Sequence, residues 1–111
     1  MKISRDTKVF ISGCGGMLAK AVYEKFSPHC QVLATDIDVN EPWLEYGDVI
    51  DFQEILGKVS KFEPDLIINL AALTDLEYCE KNPEITWKTN APGAENMALI
   101  SKRLGATHIY I

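Results

Sequence analysis

No stretch of this chain is apolar for long enough to cross a bilayer. The longest runs, such as Leu66-Ile67-Ile68, fall far short of the about 20 residues that a spanning helix needs. Residues 1–8 are polar and lack the apolar centre of a secretory signal, so a cytoplasmic setting is expected. Cysteine is scarce and odd in number. Cys14, Cys30 and Cys79 form no C-x-x-C and no zinc-like spacing, which predicts reduced thiols used as small, semi-apolar residues and no metal site. Basic residues are also short: Lys and Arg number 11 against 16 Asp and Glu, a net charge of −5, with no basic stripe. That balance excludes a general nucleic-acid binder. It does not exclude an anionic small molecule held by backbone N–H groups at a helix N-terminus.

What is present is the composition of a globular domain, 47% hydrophobic and 24% charged, in a length of 111 residues that suits one domain. Strand-like and helix-like segments alternate along it. Residues 8–12 (K-V-F-I-S) read as a strand stopped by Gly13. Met17, Leu18, Ala21, Val22 and Phe26 then recur at helical spacing until Pro28. Residues 31–35 (Q-V-L-A-T) form a second strand closed by Asp36, and residues 46–50 a short third strand. Asp51, with Glu54 three positions on, predicts a capping box for a helix burying Phe52, Ile55, Leu56, Val59 and Phe62, ended by Pro64. Residues 65–72 include an unalternated apolar run, as in a strand covered on both faces. Asn82-Pro83 reads as a cap and first helical residue, with helix running towards Leu104 and a break near Pro92-Gly93. Gly105 is a natural stop before a last strand at residues 107–111. Five strands with helices between them predict an α/β, doubly wound parallel sheet of order 3-2-1-4-5, as one domain over 1–111.

The turn Ser12-Gly13-Cys14-Gly15-Gly16-Met17-Leu18-Ala19 carries the chemistry. It does not match the strict G-x-G-x-x-G pattern, whose third position would be Leu18. It matches G-x-x-G-x-x-A through Gly13, Gly16 and Ala19. Gly13 permits a sharp exit from strand one, Gly16 a close backbone approach to a pyrophosphate, and Ala19 close packing of the helix on the sheet. Asp36 follows Gly13 by 23 positions, close to the spacing of the acid that grips an adenosine ribose. A 2′-phosphate about 5 Å from that carboxylate would meet roughly 3 kcal/mol of repulsion per unit charge. No Lys or Arg follows Asp36 closely enough to offset it. NAD(H) is therefore expected over NADP(H), with NADP(H) still possible.

These residues resemble the extended short-chain dehydrogenase/reductase family, from Val9 to Ile111. Gly47-Asp48-Val49-Ile50-Asp51 is similar to the family's G-D-[VIL]-x-D, and Asn69-Leu70-Ala71-Ala72-Leu73-Thr74 to its N-A-A-A-Y-T. The resemblance implies a Rossmann-type fold. It also implies cofactor contacts from Gly13, Gly16, Met17, Leu18, Asp36, Asp48, Val49, Ala71, Ala72 and Thr74, with Asp48 and Val49 touching the adenine. It further implies a reductase of a nucleotide-linked 4-keto sugar that assembles as a homo-oligomer. An epimerase or dehydratase of the same family, or a non-catalytic nucleotide-binding regulatory subunit, is the alternative. Leu73 stands where Tyr is usual, and Glu77 where Asp is usual. The family's catalytic Ser/Thr after strand five and its Tyr-x-x-x-Lys pair have no counterpart here, since no Tyr is followed by Lys four residues on. The expectation is the N-terminal part of a longer reductase, which alone binds cofactor without turning over substrate.

Overall fold

The structure, a computed structural model, describes residues 2–13, 17–70, 80–84 and 92–110. Its elements run β1 (Lys8–Ser12), α1 (Met17–Phe26), β2 (Gln31–Asp36), β3 (Leu44–Tyr46), α2 (Phe52–Phe62), β4 (Leu66–Asn69), α3 (Pro92–Leu104) and β5 (Thr107–Tyr110). All five strands are parallel, in the order β3-β2-β1-β4-β5 that the sequence predicts.

Neighbouring residues of one strand feed opposite cores, which is why the central strands read as unbroken apolar runs. Val9 and Ile11 of β1, Ala34 of β2 and Leu66 and Ile68 of β4 pack with Ala19 and, less deeply, with Val22 and Phe26 of α1. Phe10 and Ile67 point the other way, into a core shared with Ile55 and Val59 of α2 and Met97 and Ile100 of α3. Phe10, Ile55, Ile67, Met97 and Ile100 are wholly buried. Each such side chain contributes about 1.5–3 kcal/mol. Trp43, just before β3, stacks on Tyr23 of α1 with ring centroids 3.9 Å apart and planes 8° from parallel, tying the short edge strand to the helix.

Two expectations are corrected, the third strand and the capping box, while the break expected near Pro92 is found. The third strand lies at Leu44–Tyr46, not at residues 46–50. Gly47 N–H still donates to Asp36 O, but then Asp48 takes over the local backbone. Its Oδ1 accepts from Ile50 N–H at 3.1 Å, and its carbonyl from Asp51 N–H at 3.1 Å. An Asp side chain that bonds its own neighbours competes with the sheet ladder, so the strand stops. For the same reason the capping box is half made. Asp51 Oδ1 accepts from Glu54 N–H at 3.3 Å, while the Asp51 N–H that Glu54 would have capped is already given to Asp48. The last helix begins at Pro92, in the first-turn position that tolerates proline. Upstream, Asn82 is non-helical and Pro83 and Glu84 are helical. The remainder of that predicted helix, at 85–91, falls outside the described residues. So does the end of the predicted fourth strand, at 71–72.

The helix ends follow their local chemistry. α2 closes on Glu63 in the left-handed region (φ 56°), its N–H donating to Val59 O, ahead of Pro64. α3 closes on Gly105 (φ 67°), with Gly105 N–H to Lys102 O and Ala106 N–H to Ser101 O, a Schellman arrangement. Among the described residues no helix is long and apolar enough to cross a membrane.

β5 forms an edge of the sheet and leaves Ile109 and Tyr110 partly exposed. His108, paired with Ile67, shares the α2/α3 face, and its buried Nε2 finds no hydrogen-bond partner among the described residues. Burial holds its pKa below the ordinary histidine value. The unfolded chain therefore takes up this proton first, so stability is expected to fall as pH drops through about 6.5. Melting temperatures measured from pH 7.5 to 5.5 check this. His108→Phe should flatten that slope, and an unchanged slope would assign it to other groups.

Candidate functional site

The carboxyl edge of the sheet gathers the residues singled out in the sequence. Strand order reverses between β1 and β4, which both follow from the middle of the sheet in opposite directions, and in doubly wound folds ligands bind outside that reversal. Gly13 leaves β1 with φ 79°, a conformation that side-chain-bearing residues rarely adopt, and its N–H donates to Thr35 O at 2.9 Å. α1 starts four residues later at Met17, has no acidic residue in its first turn, and so offers the positive end of its dipole without a built-in counter-charge. Leu18 is 57% exposed at that end, whereas Ala19 is 2% exposed and sits in the core against the sheet, as its small size predicts. Gly16, Ala71, Ala72 and Thr74 lie outside the described residues.

Below Gly13, three buried polar side chains lie at or beside the carboxyl ends of three adjacent strands: Ser12 at the end of β1, Thr35 one residue before the end of β2 and Asn69 at the end of β4. Ser12 Oγ donates to Asn69 Oδ1 at 2.7 Å, bridging the strands that flank the reversal. This pair is invisible to spacing arguments because its members are 57 positions apart. The available signal was a polar residue ending each otherwise apolar strand.

Asp36 ends β2 half-buried beside the turn, and its Oδ1 accepts from Asp38 N–H at 2.8 Å, which fixes the carboxylate's orientation. Ile37 and Val39 follow, both exposed. The Asp36 carbonyl accepts from Gly47 N–H at 3.1 Å, so the loop bearing Asp48 hangs directly from the residue bearing the first acid. Val49 has a side chain that is 3% exposed and packs in the α2/α3 core. Its carbonyl is bonded by Asn96 Nδ2 from α3 at 2.9 Å. Asn96 had not been singled out in the sequence, although a polar residue beside Met97 on an otherwise apolar stripe was a usable sign. Nearby, the hydroxyl of the exposed Tyr46 is raised above its ordinary pKa by partial desolvation and then by the carboxylates of Asp48, Glu54 and Asp51, so this rim carries a negative field.

Other candidates fall away. Cys30 lies behind α1, its Sγ directed at Phe26 O, and burial pushes its pKa up, the reverse of an activated thiol. Cys14 and Cys79 are outside the described residues. A cavity of about 790 Å³ opens at the opposite, amino edge of the sheet, lined by Lys2, Asp6, Glu63, Asp65 and Arg103 among others. Its charges are of both signs, and Asp65 is already engaged by Lys8 N–H at 2.9 Å.

Comparison with known proteins bears on the family and the fold. Residues 7–111 match the family model described as the RmlD substrate binding domain. The chain is 30% identical over 105 residues to methionine adenosyltransferase 2 subunit beta of Xenopus tropicalis, covering 94% of this chain and 31% of that protein. It is 26% identical over 102 residues to dTDP-4-dehydrorhamnose reductase of Escherichia coli, covering 92% and 33%. Among solved structures it is similar to dTDP-4-dehydrorhamnose reductase from Bacillus anthracis in complex with NADP. That match has a TM-score of 0.82 and 26% identity, over 98% of this chain and 37% of that one. The chain thus spans about a third of the length of the curated relatives it matches, 31% of the first. With a parallel 3-2-1-4-5 sheet and a glycine turn at its reversal point, the chain belongs to the RmlD substrate binding domain family, within the extended short-chain dehydrogenases/reductases.

Proposed function

We propose that this chain holds the dinucleotide in an NAD(P)-dependent reductase of a nucleotide-linked 4-keto sugar, similar to dTDP-4-dehydrorhamnose reductase, and that it favours NAD(H). The observation that carries the reading is the juxtaposition at the carboxyl edge. A positive-φ glycine leads into a helix N-terminus free of acids in its first turn, with an oriented carboxylate, Asp36, at the end of the adjacent strand. The backbone N–H groups of the turn suit a pyrophosphate, and Asp36 suits the two hydroxyls of an adenosine ribose. A bound nicotinamide supplies the hydride; this chain's part is to bind and orient. The described residues hold nothing equivalent to a Tyr-x-x-x-Lys pair, so acid–base work is assigned to other parts of the complete protein.

The NAD(H) preference rests on charge. Asp36 and the acidic rim around Tyr46 oppose a 2′-phosphate. The similar dTDP-4-dehydrorhamnose reductase from Bacillus anthracis was solved with NADP. Titration calorimetry with NADH and NADPH tests it: NADH should bind more tightly, and Asp36→Ala should narrow the ratio of the two affinities about tenfold, or 1.4 kcal/mol. Tighter NADPH binding by the unaltered protein would reverse the preference. Binding of neither would overturn the dinucleotide reading.

The 30% identity to a methionine adenosyltransferase beta subunit favours a second reading, a nucleotide-binding regulatory subunit without turnover. The complete protein separates the two. Consumption of NADH with a 4-keto sugar nucleotide supports the reductase, and cofactor binding without consumption supports the regulatory role.

A further inference from the structure

We infer that Asn96 is a positioning residue for the adenine side of the dinucleotide site, acting from α3 through the loop that carries Asp48. The inference rests on the dinucleotide reading above and deepens it. The loop between β3 and α2 leaves the sheet ladder at Gly47, so its backbone groups need partners of their own. Besides the turn's own Asp51 N–H to Asp48 O bond, three are supplied, each fixing a different point. Gly47 N–H donates to Asp36 O at 3.1 Å, which ties the loop to the strand end bearing the ribose acid. Ile50 N–H donates to Asp48 Oδ1 at 3.1 Å, which sets the rotation of that carboxylate. The Val49 carbonyl, between these two, accepts from Asn96 Nδ2 at 2.9 Å.

This last bond is unlike the other polar contact described on the same helix. Ser101 Oγ turns back to Met97 O within α3, a local bond that holds nothing else in place. Asn96 instead reaches a residue 47 positions away in sequence. It is placed to do so because it precedes Met97, which lies wholly buried in the same core as Val49. The Val49 side chain anchors the loop from below and Asn96 holds its carbonyl from the side. Together they fix the backbone beside Asp48, whose carboxylate is held by Ile50 N–H. A ligand group that reads Asp48 therefore meets a carboxylate whose ordering cost was met on folding.

The test is a double-mutant cycle read on ADP-ribose affinity by calorimetry at 15 °C, with far-UV circular dichroism confirming the fold of each variant. Asn96→Leu and Asp48→Ala should each weaken binding about tenfold. If Asn96 works through Asp48, the double variant should also lose about tenfold, not a hundredfold, because the two losses share one cause. Asn96→Asp, of the same size but without the donor, should reproduce Asn96→Leu and serves if the leucine variant does not fold. Two outcomes overturn the inference: a folded Asn96 variant binding within twofold of the parent, or losses that multiply to a hundredfold. An unaltered protein that binds no ADP-ribose overturns the dinucleotide reading itself, and the inference with it.

Discussion

Alanine in place of Gly47 is expected to destabilise the chain by about 2–3 kcal/mol, although it adds one methyl group. Gly47 has no left-handed φ, so backbone freedom is not its reason. Space is. A Cβ built there would stand 2.8 Å from Thr35 Cβ, 3.1 Å from Thr35 Oγ1 and 3.2 Å from Ile55 Cδ1. The Ile55 methyl is a flexible end, but Thr35 Cβ is attached directly to the backbone of β2 and cannot swing aside. Relief has to come from moving the loop away from β2, which would stretch the Gly47 N–H to Asp36 O bond and shift Asp48. Urea denaturation should show the loss of stability, and ADP-ribose affinity should fall with it. A Thr35→Gly background, which removes the obstructing Cβ, should absorb at least about 1 kcal/mol of the Gly47→Ala effect. A Gly47→Ala protein within about 0.5 kcal/mol of the parent would show that the loop is free to yield.

The second large effect concerns Asn69. Leucine there is close in volume but removes the acceptor of the 2.7 Å bond from Ser12 Oγ, leaving a hydroxyl that is 1% exposed without its partner. An orphaned buried hydroxyl costs about 1–3 kcal/mol, and we expect Asn69→Leu to cost about 2–3 kcal/mol. Ser12→Ala alone should cost about 1 kcal/mol. The double variant should be no worse than Asn69→Leu, because the orphan has then been removed along with its partner. Thermal and urea unfolding of the four proteins decide this. Additive losses would mean that the two residues are stabilised separately. The pair matters beyond stability because it fastens β1 to β4 where the sheet reverses, directly under the glycine turn.

Much of the fold was legible because its determinants are local in sequence. β1 and α1 fall on the expected residues, since Gly13 and Pro28 bracket a clear helical period. The strand order follows from alternation of strand and helix, with crossovers of one hand. The reading failed at residues 46–50, where Y-G-D-V-I has the apolar look of a strand but Asp48 captures the backbone for a turn. Nothing in composition separates an aspartate that ends a strand from one that folds the chain onto itself. Val49 is linked to the adenine only through the resemblance of Gly47–Asp51 to a family motif, and a motif does not say how deeply a side chain is buried.

What the sequence determined by itself is the set of local instructions: five apolar segments, the glycine turn with Ala19 behind it, an acid at the end of the second strand, and caps at Asp51 and Gly105. Those rest on forces that act over a few residues, namely side-chain periodicity, backbone freedom and capping. Only the tertiary structure decided that Gly47 is a glycine for the sake of Thr35. It alone joined Ser12 to Asn69 across 57 positions and placed Asn96 on the loop of Asp48 across 47. Close approach and buried hydrogen bonds depend on which residues packing brings together, and packing pairs them without regard to their distance along the chain.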